Sequence, residues 1–87
     1  MTHRKVTLYT KPGCVQCTAT KRWLDKNNVE YTPIDVSKNP DALAKVKALG
    51  YEAVPVTVAE TSDPTMTVDW YGFNDTNLAK YTRPKAA

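Results

Sequence analysis

Residues Arg4 to Thr10 read RKVTLYT, a partly alternating run rich in Val, Thr and Tyr that predicts a strand. Pro12-Gly13 breaks it. From Val15 to Lys26 the residues favour helix. Val15, Ala19 and Trp23 fall four apart with Leu24 beside them, which predicts one apolar stripe, and Asn27-Asn28 is expected to end the helix. VEYTPIDV, Val29 to Val36, reads as a second strand, with Pro33 marking it as an edge. SKNPDALAKVKALG reads as a helix capped by Asn39, with Pro40 at its first position and Gly50 as its stop. Leu43, Val46 and Leu49 are expected to face inward from it. A third strand starts after Pro55 in AVPVTVAE, TSDPT is a turn, and MTVDWY pairs back as a fourth strand. FNDTNLAKY closes the pattern as a short helix capped by Asn74 or Asp75.

The order is therefore β-α-β-α-β-β-α. A helix joins the first two strands, so they should run parallel with a right-handed crossover. The last two form an antiparallel hairpin. This predicts an α/β protein with one mixed four-stranded sheet flanked by three helices. With 87 residues, the chain is expected to form one domain over residues 1–87. An apolar share of 41% is ordinary for a globular protein, and no apolar run approaches the length that spans a bilayer. MTHRKVTLYT has basic residues but no apolar stretch or small-residue cleavage site after it, so a cytoplasmic protein is expected.

The net charge of +3 is uneven: residues 1–50 hold nine Lys/Arg against four Asp/Glu, and residues 51–87 three against five. The first half is thus suited to acidic partners. No basic residues interleave with aromatics, which argues against nucleic acid. The positive half also contains both cysteines, Cys14 and Cys17, in YTKPGCVQCTATKRW. A zinc site usually takes four ligands, often from two such pairs, whereas His3 is the single histidine and there is no second pair. Simple core packing is the other unreactive alternative.

A C-x-x-C pair beside a βαβ pattern reads instead as a redox motif. Residues three apart on a helix share a face, which brings the two Cα atoms to about 5 Å, within disulfide range. Cys14 falls where strand gives way to helix. There the unpaired N–H groups and the helix dipole favour a thiolate, and Lys11 adds positive charge nearby. Such a setting lowers a thiol pKa toward roughly 7 or below. Cys14 is accordingly expected to be the nucleophile of disulfide exchange, with Cys17 more buried and held in reserve.

CVQCTATKRWL, AVPV at Ala53–Val56 and WYGF at Trp70–Phe73 together resemble the glutaredoxin-like NrdH-redoxins of the thioredoxin superfamily, over nearly the whole chain. The resemblance implies a thioredoxin fold and a dithiol–disulfide electron carrier, expected to be monomeric, with the redox-active disulfide between Cys14 and Cys17. It implies reduction of a class Ib ribonucleotide reductase large subunit, re-reduction by thioredoxin reductase and NADPH, and no cofactor or metal bound to the chain. It also implies a cis peptide before Pro55, leaving the Val54 backbone to pair with an extended substrate. Gly72-Phe73 stands where glutaredoxins commonly carry a glycine pair for glutathione. Phe73 fills that space, and with Trp70 and Tyr71 it offers an aromatic contact area, unless these rings simply pack the last strand on the last helix. Asn74-Asp75 replaces the family's usual Arg-Pro, which removes that arginine's contacts. A glutathione-dependent glutaredoxin and a metal or iron–sulfur module remain as alternatives.

Overall fold

In a computed structural model that describes residues 5–60 and 67–82, four strands and three helices appear in the expected order: β1 (Val6–Thr10), α1 (Val15–Lys26), β2 (Thr32–Asp35), α2 (Pro40–Ala48), β3 (Val56–Glu60), β4 (Thr67–Tyr71) and α3 (Asp75–Tyr81). The sheet order is β2-β1-β3-β4. β1 and β2 are parallel, with Thr10 opposite Asp35. β3 runs antiparallel to β1 and β4 antiparallel to β3. β2 is an edge strand, which suits Pro33, since an edge leaves room for a residue without an N–H. The TSDPT turn, Arg4 and Met66 lie outside the described residues.

Alternation along the strands divides the core in two. Val6, Leu8, Ala59 and Trp70 pack against Leu24 of α1 and Leu78 of α3. Tyr9, Val54 and Val56 turn the other way, onto Ala42 and Val46 of α2. Helices thus cover both faces of the sheet, which is the thioredoxin fold.

The helix ends follow the sequence closely. Asn39 Oδ1 accepts the Ala42 N–H at 3.1 Å and Asn74 Oδ1 the Asn77 N–H at 3.0 Å, so Asn74 rather than Asp75 caps α3. Asn27 donates to the Trp23 carbonyl at 2.9 Å from its side chain. Asn28, at φ 56°, turns the chain out of α1.

The two helical stripes differ from expectation. In α1 the buried residues are Cys17, Thr20 and Leu24, while Val15 is 83% exposed. Cys17 sets the helical phase: its sulfur points into the core, and two residues back along a helix is roughly 200° around, on the opposite side. Trp23 packs only at the edge of the core. In α2 the inward residues are Ala42 and Val46, one turn apart, while Leu43 and the C-cap residue Leu49 are each 38% exposed. Val46 faces inward as expected, with Leu43 and Leu49 on the flanks of that stripe. The stripe is completed by an alanine that the hydrophobic pattern does not emphasise.

Candidate active site

The chain leaves β1 at Thr10 and passes through the exposed Lys11-Pro12-Gly13 turn before entering α1 at Cys14. Cys14 is the N-cap, with extended backbone and its Sγ accepting the Cys17 N–H at 3.1 Å. The helix start is held further by the Thr18 hydroxyl, which donates to the Cys14 carbonyl at 3.2 Å. Cys14 and Cys17 are joined in a disulfide, with Cα atoms 5.2 Å apart. The two sulfurs are not equivalent. Cys17 is 2% exposed and sits among Tyr9, Val36 and Val54, whereas Cys14 is half-buried at the rim of that cluster.

Two further segments meet this helix start. The Val54–Pro55 peptide is cis, and the Val54 carbonyl oxygen lies 3.6 Å from Cys14 Sγ. As half of a disulfide that sulfur has no proton to donate. Val54 stands just ahead of the ladder, which begins with Tyr9 opposite Val56. The second segment follows β4. The Gly72 N–H donates to the Pro55 carbonyl at 2.8 Å, and the Phe73 N–H donates to Gln16 Oε1 at 3.1 Å. Gly72 is buried at φ +83°, and a Cβ there would fall 2.8 Å from Gln16 Oε1.

The structure therefore brings Cys14, Cys17, Val54, Pro55, Gly72 and Phe73 together. Lys11 is exposed in the preceding turn. Trp70 does not join an aromatic contact area. It is 6% exposed, packs in the core with Leu8 and Leu78, and its ring centroid is 6.0 Å from that of Tyr81 in α3. The period-two alternation of β4 explains this: Trp70 points to the α1–α3 side while Tyr71 points away from it. Tyr71 and Phe73 are exposed, and Tyr71 borders an open groove with Gly50, Tyr51, Glu52 and Ala53.

Gln16 was not singled out by the motif, because its partner lies 57 residues away and nothing in CVQC announces it. The Tyr51–Asp69 pair is similar. The Tyr51 hydroxyl donates to Asp69 Oδ1 at 2.7 Å, and this bond, with partial burial, pushes its pKa up to about 12. Asp35, at the same end of the sheet as Thr10, has its carboxyl held below the usual range, first by the Ser37 hydroxyl at 2.6 Å. Among the described residues no three His, Cys, Asp or Glu side chains form a group able to hold a metal, and no helix is long and apolar enough to cross a membrane. His3 lies outside them.

Known proteins place this arrangement. The glutaredoxin family model matches residues 6–61. The glutaredoxin-like protein NrdH of Lactococcus lactis subsp. cremoris is 31% identical over 75 residues, covering 86% of this chain and 96% of the relative. Its Escherichia coli K12 counterpart is 33% identical over 69 residues, covering 79% and 78%. The solved structure of Escherichia coli NrdH-redoxin, a glutaredoxin-like protein described as having a thioredoxin-like activity profile, superposes with a TM-score of 0.74 at 30% identity, over 92% of this chain and 99% of that one. By the family model over residues 6–61 and these relatives, the chain belongs to the glutaredoxin family, as a thiol–disulfide oxidoreductase of the NrdH kind.

Proposed function

We propose that this redoxin passes two electrons from thioredoxin reductase and NADPH to a protein disulfide, with the class Ib ribonucleotide reductase large subunit as its principal acceptor. The observation that carries the reading is the asymmetry of the two sulfurs: Cys14 at the rim, Cys17 buried behind it. In the reduced protein the Cys14 thiolate attacks one sulfur of the target disulfide. That S–S bond breaks, one target thiolate leaves and a mixed disulfide forms through Cys14. Cys17, deprotonated, then attacks Cys14 Sγ, the second target thiolate leaves, and the Cys14–Cys17 disulfide forms. The target gains two electrons and this chain loses two. The helix-start N–H groups and dipole favour negative charge on Cys14 during the cycle, and Lys11 adds a screened contribution.

In this reading the Val54 backbone receives the extended target segment beside Cys14, and Tyr71 and Phe73 supply exposed aromatic contact to a protein partner. The chain works as a monomer in the cytoplasm with no cofactor of its own, because the electrons reside on its sulfurs. Phe73 in place of the second glycine, and the thioredoxin-like profile of the Escherichia coli relative, favour thioredoxin reductase over glutathione. The test compares NADPH consumption by the oxidised protein with thioredoxin reductase against consumption with glutathione and glutathione reductase. Fast turnover is expected only in the first. Fast turnover with glutathione alone would leave a glutaredoxin of the ordinary kind.

A further inference from the structure

We propose that Tyr51 and Asp69 are positioning residues for capture of the protein target: their hydrogen bond fixes one end of the Glu52–Val54 segment and so holds the Val54 backbone ready beside Cys14, a role that rests on the reading of Val54 as the strand partner of the target. The segment has little of its own to hold it. Among the described residues, no backbone-to-backbone hydrogen bond involves Glu52, Ala53 or Val54. Free N–H and C=O groups are what an extended target segment needs in order to add as a strand. A loose strand partner, however, loses conformational freedom on binding, and that loss weakens the complex.

Ties at the two ends reduce the loss. At one end the Pro55 carbonyl accepts the Gly72 N–H at 2.8 Å, just past β4. At the other, the Tyr51 N–H donates to the Val46 carbonyl at 3.1 Å and closes α2, while the Tyr51 hydroxyl donates to Asp69 Oδ1 in β4 at 2.7 Å. The register explains that reach. Asp69 lies opposite Val58 in the β3–β4 ladder, and cross-strand partners share a face. Val58 and Tyr51 both pack against the buried cluster on the α2 side of the sheet, so Asp69 stands on the side from which Tyr51 arrives. The Tyr51 ring packs against the cluster that contains Val54 and Cys17. Phenylalanine at this position keeps those ring contacts and removes only the tie to β4.

The experiment uses the full chain as Tyr51→Phe, Asp69→Ala, the two combined, and Asp69→Asn, which keeps an oxygen able to accept. Each protein is reduced with dithiothreitol, freed of it, and mixed with increasing oxidised insulin. A parallel series uses dithiobis(nitrobenzoic acid), a small disulfide with no peptide backbone to pair. The half-saturating insulin concentration is expected to rise about fivefold in Tyr51→Phe and in Asp69→Ala, as for one net hydrogen bond. The maximal rate and the rate with the small disulfide should hold. The combined variant should be no worse than either single one, because both residues act through one bond, and Asp69→Asn should stay within about twofold of native. An unchanged half-saturation in Tyr51→Phe, equal slowing with the small disulfide, independent effects in the combined variant, or an Asp69→Asn protein as poor as Asp69→Ala would each overturn the proposal. A native protein that shows no saturation with insulin removes the Val54 docking reading itself, before any variant is compared.

Discussion

Replacing Gly72 by Ala tests the joint between the cysteine helix and the turn after β4. Two costs are expected. The backbone at φ +83° lies in the left-handed region, where a residue with a Cβ loses about 1–2 kcal/mol relative to glycine. The new methyl would also lie 2.8 Å from Gln16 Oε1. That oxygen is the end of a flexible, exposed side chain, so it swings away rather than straining the fold. Swinging away breaks its bond to the Phe73 N–H, which at an exposed site is worth at most about 0.5–1 kcal/mol. The sum is about 2 kcal/mol, or a fall in Tm of roughly 8–16 °C for a domain of this size. Gly50→Ala separates the two parts. Gly50 has φ +97° and open space where its Cβ would go, so it reports the backbone cost alone. Urea and thermal unfolding of oxidised Gly72→Ala, Gln16→Ala and the double variant complete the comparison. The double variant should be more stable than the sum of the singles implies, by about 0.5–1 kcal/mol. Simple additivity, or a Gly72→Ala protein no less stable than Gly50→Ala, would show that Gln16 does not occupy the space above Gly72.

Cys17→Ser is expected to accumulate a mixed disulfide with an oxidised target, seen as a covalent adduct on non-reducing gels, and Cys14→Ser should give none; the opposite result reverses the two roles. Leu24→Ala should cost about 2–5 kcal/mol in urea unfolding because that side chain is fully buried, whereas Val15→Ala should stay within about 0.5 kcal/mol; comparable losses would put the phase of α1 in error. The Tyr51 pKa is raised in the fold from 10.0 to about 12, so the protonated phenol is what the fold favours. Its contribution is complete below pH 10 and is lost as pH rises from there toward 12. Tyr51→Phe should therefore flatten the alkaline fall in stability over that window, leaving the smaller slope from Tyr31, whose pKa is also raised; an unchanged slope would dissociate Tyr51 from Asp69.

Features that depend on neighbours in the chain were legible, and those that depend on distant partners were not. Asn39 before Pro40, the Asn27-Asn28 exit and the Cys14–Cys17 spacing act within one helical turn, so residue type and order suffice to read them. The helical stripes were harder. The hydrophobic pattern ranks Val15, Leu43 and Leu49 above Ala42 and Thr20, but a helix is oriented by what lets it approach the sheet. Here that is the inward Cys17 sulfur in α1 and the small Ala42 beside Val46 in α2. Trp70 was ambiguous for a related reason: WYGF places three rings together, and only the pairing of Thr57 with Trp70 and Val56 with Tyr71 separates the buried ring from the exposed ones. Gln16 shows the same limit most sharply. A polar residue in the first turn of a helix is ordinary by itself. It acquires a role only because the sheet order β2-β1-β3-β4 returns Gly72 and Phe73 to the end of the sheet where Cys14 begins α1. The cysteines state the chemistry locally, while the contacts that hold the turn after β4 against their helix close between residues far apart in the sequence.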